Sequence, residues 1–246
     1  MAIWLLVTPA GNVNVPVIIA GDPLTFGLSI NDGFSAISSD YANRRGFHLT
    51  SNLPYYLAFK FLDGTATVPD VTLGGLPLEN VTFLRGDITE GGIKKIGGTI
   101  GLNILENYDV ELDFENNRLN LFSQDHCPGN VVYWASSYTT IPFTQDVAGN
   151  LAYKLTLDGK PVTAGFDLSR SYGHIKSVTA KRLFGLNSVD GLTKTGKLLY
   201  GTSETYKYPF QALGIGAFTF EKPEIDVYSE KSECLPSRYM RCLGSP

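Results

Sequence analysis

The chain repeats itself, and the repeat limits what it can fold into. Laid out without a gap, Val15-Pro16-Val17 meets Tyr153-Lys154-Leu155. From there Gly21 meets Gly159, Pro23 meets Pro161, Thr25 meets Thr163 and Gly27 meets Gly165. Farther on, Ile37 meets Ile175, Ser39 meets Ser177, Ala42 meets Ala180 and Arg44 meets Arg182. The apolar positions between them also agree: Val17 with Leu155, Ile19 with Leu157, Leu28 with Phe166, Phe34 with Tyr172. A duplicated unit predicts two similar lobes facing each other across a cleft. At the centre of the unit Ser29 stands opposite Asp167, so the two copies differ where their side chains would meet.

Within each copy the pattern is that of strands. Asn14 to Ile19 is apolar and ends in the turn Ala20-Gly21-Asp22-Pro23, after which Leu24 to Ile30 reads as a second strand. Tyr55 to Leu62 runs into Asp63-Gly64, a hairpin signal, followed by Thr65 to Val68. Leu76 to Phe83 is a further strand. Asp109 to Phe122 reads as a hairpin with one buried face: Val110, Leu112 and Phe114 alternate with acidic residues, Asn116-Asn117 turns the chain, and Leu119, Leu121 and Phe122 follow. Short helices are expected at Ser39 to Arg45, capped by Ser38 or Ser39, at its counterpart Ser177 to Leu183, and at Leu102 to Asn107. The first lobe spans residues 1–134 and the second 139–246, joined through Gln124 to Ser137 with its Pro128-Gly129.

Composition agrees and excludes several functions. The 246 residues suffice for one large or two small domains, and 26 Gly with 13 Pro, 13 Tyr and 14 Phe favour strands joined by tight turns. A net charge of −4 without basic runs gives no footprint for nucleic acid. No apolar run approaches the roughly 20 residues of a membrane-spanning helix. The apolar start Met1 to Val7 lacks the basic flank and length of a signal sequence and reads as a first strand. The three cysteines (Cys127, Cys234, Cys242) contain no C-x-x-C, and His126-Cys127 alone is no zinc site, so neither metal nor cofactor is expected. Cys234 and Cys242 would pair only in an oxidising compartment.

The segment Gly98-Thr99-Ile100-Gly101-Leu102-Asn103-Ile104-Leu105, running on to Phe114 and followed by Arg118 to Phe122, resembles the closing element of retropepsin-like aspartic proteases. In those proteins a hydrophobic-hydrophobic-Gly turn precedes a short helix and a final strand. Leu157 to Asp167 and Ala180 to Leu186 fit the same family, and the whole chain resembles its bacterial, tandem form. The resemblance implies a mainly β fold: two retropepsin-like (acid protease) β-barrel lobes related by pseudo-two-fold symmetry, with a few short helices. It also implies an exported or periplasmic location.

That family carries Asp-Thr-Gly once per lobe, and its two carboxylates share a proton and activate a water. Here the motif is degenerate. Ser29, Ile30 and Asn31 occupy its three positions in the first lobe; Asp167, Leu168 and Ser169 occupy them in the second. A lone Asp has no like-charged neighbour with which to share a proton. Ser29 is no general base, and no His is placed to complete a serine triad. The reading that follows is a non-catalytic pseudo-protease that binds an extended peptide or unfolded segment, with Asp63-Gly64 as the tip of a flap. Two alternatives stay open. One is an active aspartic endopeptidase in which Asp32, three residues past Ser29, swings in to pair with Asp167. The other is a β-rich structural or surface module. In the second lobe Arg241-Cys242-Leu243-Gly244 starts another hydrophobic-Gly turn without the helix and strand that follow in the first. A truncated second lobe of this kind calls for a partner segment or a second copy to complete it.

Overall fold

A computed structural model describes residues 1–8, 12–51, 62–86, 97–124, 132–146, 149–166, 168, 173–198 and 203–229. The expectations for Tyr55 to Phe61, Pro128-Gly129, the three cysteines and Arg241 to Gly244 lie outside them, as do Asp167 and Ser169. The chain divides into two compact units. The first is Met1–Ser171 with Gly214–Thr219, and the second is Tyr172–Leu213 with Phe220–Pro246. Among the described residues no helix is long and apolar enough to cross a membrane, and no cluster of His, Cys, Asp or Glu could hold a metal ion.

The first unit is built on a barrel. Strand β1 (Ala2–Trp4) is followed by β2 (Leu6–Val7), β3 (Val13–Ile19), β4 (Asp22–Leu28), β5 (Ala36–Ser38), β6 (Leu62–Leu73), β7 (Leu76–Gly86) and β8 (Gly98–Ile100). They pair in the order β2-β3-β4-β8-β5-β7-β6, and β6 pairs again with β3, closing six strands into a ring. Closure removes the open edges that would template aggregation. Inside lie Val15, Val17, Phe26, Ile37, Phe83 and Ile100, all at most 1% exposed, with Phe26 and Phe83 edge to face at 6.1 Å. Each such side chain contributes about 1.5–3 kcal/mol by leaving water.

Helix α1 (Ser39–Arg44) starts where expected, and the Ser38 hydroxyl caps it by accepting from the Tyr41 amide. Helix α2 (Leu102–Leu105) leads into the hairpin β9 (Asp109–Asp113) and β10 (Arg118–Phe122), and β1 adds to give the sheet β1-β10-β9. The turn falls at Asn116-Asn117, with Asn117 at φ 53°. Burial departs from the expected face only at its β9 side: Leu119 and Leu121 of β10 are buried, while Leu112 and Val110 opposite them on the same face are partly covered and exposed, and Phe114 is exposed. The core reaches this hairpin from β1's side, through Ile3.

A second departure concerns Asp63-Gly64. These residues form no hairpin tip: they lie inside β6, with a bulge between Leu62 and Gly64 in its pairing to β7. The tip is Gly74-Gly75, at φ 55° and 101°, between paired Leu73 and Leu76. Two adjacent residues with positive φ are what a tight hairpin demands, and Gly-Gly meets that demand at least strain.

The same unit holds β11 (Phe143–Gln145), β12 (Leu151–Leu157) and β13 (Lys160–Ala164). It also holds residues 214–219 of the hairpin between β17 (Ala212–Ile215) and β18 (Phe218–Glu221). The order is β11-β12-β17-β18, with β13 on β12. The β12–β13 hairpin pairs Leu155 with Val162 and Leu157 with Lys160; β3–β4 pairs Val17 with Leu24 and Ile19 with Asp22. Both turn through a non-glycine and a glycine at positive φ, Ala20-Gly21 and Asp158-Gly159.

In the second unit β14 (Gly173–Lys176), β15 (Lys194–Leu198), β16 (Ser203–Lys207) and β19 (Ile225–Ser229) pair in the order β14-β19-β16-β15. Helix α3 (Ser177–Phe184) follows β14 directly, as α1 follows β5. Strand β14 runs parallel to β19, as β5 runs parallel to β7. Val227, Ala180 and Phe210 are buried, with Phe210 against Phe184 at 5.1 Å.

Candidate functional site

The loop after β4 is where the sequence concentrates its candidate residues. Ser29 still belongs to the sheet through its amide, which donates to the Ile100 carbonyl at 2.9 Å. Its hydroxyl then turns the chain, accepting the amides of Asn31 (3.4 Å) and Asp32 (3.1 Å). This is a serine-capped turn, in which a side chain replaces a backbone acceptor.

The hydrophobic-Gly element packs directly beneath. Leu102 donates to the Asp32 carbonyl at 2.8 Å and Asn103 to the Gly33 carbonyl at 3.1 Å. A Cβ on Gly101 would lie 2.6 Å from the Phe34 backbone, so only glycine allows this approach. Ser35, fully buried, completes the junction: its amide (2.7 Å) and hydroxyl (2.8 Å) both donate to the Asn103 side-chain oxygen. The same hydroxyl accepts the Gly101 amide at 2.9 Å. Asn103 in turn donates to the Thr82 carbonyl at 3.1 Å. Ser35 and Asn103 were not among the sequence candidates. Their only local signal is a polar residue inside each of two apolar runs, Phe34 to Ile37 and Ile100 to Leu105.

The other candidates divide. Ile30 packs against the core, and so does Leu168, whose carbonyl accepts from the Val13 amide at 3.0 Å. Asn31 lies against Gly165, where a Cβ would come within 2.7 Å of its side-chain atoms, and its buried Oδ1 has no hydrogen-bond partner among the described residues. Gly33 abuts Gly149 in the same way, at 2.8 Å from a Cβ built there. Ser29, Ile30 and Asn31 thus share one loop, with Asn31 against Gly165, while Leu168 joins the start of β3 through Val13. Asp32, next in that loop, is exposed. Asp63 stands elsewhere, accepting from the Ser39 hydroxyl at 2.8 Å and facing the buried Arg85 guanidinium at 3.4 Å. Arg85 also donates to the Asn43 side chain at 2.7 Å, so Asp63 serves a structural ion pair. Gly64 takes φ 149° at the bulge, hard against Leu49.

What this arrangement can do follows from its groups. A serine hydroxyl that accepts two amides keeps its proton for donation, and it offers no base. At the Ser29 position the loop thus supplies hydrogen-bonding groups rather than a carboxylate.

No protein-family model matches the chain, and no curated protein matches it. Solved structures do. The chain is similar to a retropepsin-like aspartic protease from Rickettsia conorii, at 18% identity and TM-score 0.37 over 49% of this chain and 88% of that one. It is similar to the retroviral protease-like domain of Ddi1 from Leishmania major, at 17% identity and TM-score 0.33 over 48% of this chain and 98% of that one. It is also similar to Basic 7S globulin from soybean, at 8% identity and TM-score 0.46 over 93% of this chain and 88% of that one.

Proposed function

We propose that this chain is an aspartic-protease-like protein of two duplicated lobes, 1–134 and 139–246, that binds extended peptides without cleaving them. The duplication is supported by the equal registers of β3–β4 and β12–β13 and by helices that begin at the paired residues Ser39 and Ser177. The observation that carries the loss of catalysis is the Ser29 hydroxyl, which stands at the family's Asp position and is engaged by two amides of its own loop.

Rescue by Asp32 is disfavoured on energetic grounds. Its main chain is held on both sides, by Ser29 through its amide and by Leu102 through its carbonyl. Moving its carboxyl to the Ser29 position breaks both bonds, at about 0.5–1.5 kcal/mol each, before any carboxylate pair can form. Ile30 and Leu168 spend their side chains on the core, which leaves the loop rigid but without the hydroxyls that brace an active pair.

The test is binding without turnover. Fluorescein-labelled peptides from unfolded casein are titrated with the full chain by anisotropy, then recovered for mass spectrometry. The proposal expects saturable binding, competition by a statine-type inhibitor and intact peptide. Absence of both binding and competition would overturn it.

A further inference from the structure

The outer face of the sheet β1-β10-β9 carries side chains that neither the core nor the Ser29 loop uses. Its register sets them in rows. Trp4 of β1 stands opposite Arg118 of β10, and Arg118 stands opposite Asp113 of β9. In the next row Ala2 stands opposite Asn120, and Asn120 opposite Glu111. Residues directly opposite share a face. The residues between them, Ile3, Leu119 and Leu121, are buried in the core, so both rows face away from it.

Two aromatic rings stand out on this face. Trp4 is 63% exposed, and Ala2 beside it on β1 adds only a methyl group. Tyr133 is 62% exposed and is fixed at the other side of the rows: its hydroxyl donates to Glu111 at 3.0 Å, and its ring meets Phe122 edge to face at 6.1 Å.

The polar groups between the rings keep hydrogen-bonding capacity in hand. The Arg118 guanidinium lies over the Trp4 ring, 5.0 Å from its centre, and hydrogen-bonds to none of the described residues. Asp113, opposite it, is engaged instead by the Asn116 amide at 3.0 Å and side chain at 2.7 Å, one bond to each oxygen. Those two bonds, the side-chain one first, hold its carboxyl below 3.8, so it remains an acceptor well into acid. Glu111 accepts from Asn120 and Tyr133 through Oε2, which leaves Oε1 open among the described residues.

This mixture decides between ligand classes. An apolar protein surface would strip water from Arg118, Asp113 and Glu111 and return no hydrogen bonds. A polycation would meet Arg118 on the central strand, and a polyanion would meet two carboxylates against one guanidinium. A neutral sugar chain suits every group. The C–H bonds on the flat side of a glucose ring carry slight positive charge, which the negative face of an indole attracts. Sugar hydroxyls both donate to carboxylates and accept from Arg118 and Asn120. Two strand spacings separate Trp4 from the β9 carboxylates, about 10 Å, room for two linked hexose rings.

We infer that the outer face of β1-β10-β9 is a binding site for a neutral, β-linked glucose chain. One ring stacks on the side of Trp4 that Arg118 leaves open, and the next is held through its hydroxyls by Asn120, Glu111 and Asp113. This goes beyond the peptide-binding reading and uses no residue of the Ser29 loop.

The experiment titrates the full chain by calorimetry with cellohexaose and with two matched oligomers that differ in charge. One is the corresponding uronate; the other is the corresponding glucosamine oligomer, at mildly acidic pH where its amines are charged. Expected are saturable binding, tightest for cellohexaose, and at least about tenfold weaker binding by Trp4→Ala, with part of the loss restored in Trp4→Phe. Glu111→Gln and Arg118→Ala should each weaken it about threefold to tenfold. Because Trp4 is exposed, Trp4→Ala should keep the parent's melting temperature and its binding of casein peptides. Arg118→Ala carries the test if Trp4→Ala fails to fold. Absence of cellohexaose binding, equal binding by Trp4→Ala, or tighter binding of either charged oligomer would overturn the inference. So would displacement of casein peptides by cellohexaose, which would put the sugar in the peptide site. Trp4-dependent sugar binding in a chain that binds no peptide would sink the earlier proposal and leave this one standing.

Discussion

Consider removing the Asn103 side chain. Its oxygen accepts both the amide and the hydroxyl of Ser35, and its nitrogen donates to the Thr82 carbonyl. Asn103→Ala leaves the Ser35 amide without its acceptor in a residue that is 0% exposed. An unsatisfied buried donor costs about 1–3 kcal/mol, and the more exposed bond to Thr82 adds about 0.5–1 kcal/mol. The sum, about 2–4 kcal/mol, should lower the melting temperature by roughly 5–15 °C in a chain of this size. Urea denaturation followed by circular dichroism gives the free energy. Ser35→Ala, which takes the acceptor from the buried Gly101 amide, should cost about 1–3 kcal/mol. The two residues share one network, so the double variant should be milder than the sum by about 1 kcal/mol. An Asn103→Ala cost below about 0.5 kcal/mol, or strict additivity within about 0.3 kcal/mol, would refute the claim that this network pins the turn under the Ser29 loop.

Three further outcomes are expected. Tyr41→Phe removes a buried hydroxyl that donates to the Ile19 carbonyl and the Asp22 carboxylate, and should cost about 1–2 kcal/mol in the same denaturation assay. The Tyr41 phenol is held above 10.0, by burial first and by Asp22 second; its contribution is complete below pH 10 and is lost as pH rises through the higher folded value, which ultraviolet titration of the variant against the parent reads directly. Asp113 is held below its ordinary value of 3.8 by the side-chain and backbone amides of Asn116, so its contribution is present above pH 3.8 and lost as pH falls below it; Asp113→Ala should flatten that acid limb of stability. Gly101→Ala drives a methyl into the Phe34 backbone, which cannot rotate aside, and should cost about 1–3 kcal/mol or more, visible as reduced soluble yield and an earlier melt.

How much of this was legible in the residues depended on range. The paired hairpins were readable because alternation and Ala20-Gly21 or Asp158-Gly159 act over a few neighbours. Helix α1 was readable from its Ser38 cap. Asp63-Gly64 misled because a turn-like pair also suits a bulge, and the Gly74-Gly75 tip carried an equally good local signal. In β9 alternation puts Val110 and Leu112 on one face with Leu121 and Leu119, but it does not say how far along that face the core reaches. The Ser35–Asn103 junction was out of reach: its partners stand 68 residues apart and meet only when β8 crosses beneath the loop. Of the candidate residues, Ser29, Ile30 and Asn31 share the loop after β4 because they are neighbours in sequence, and Leu168 meets the start of β3. The fold assigns Asp63 to Arg85 because that guanidinium is buried, which no local pattern reveals.

The most direct measurement is hydrolysis itself. Unfolded casein is incubated with the full chain from about pH 3 to 7, where a carboxylate pair would work, and products are followed by mass spectrometry. The account predicts no products above the buffer control at any pH. Products that vanish with Asp167→Asn and with a statine-type inhibitor would contradict it.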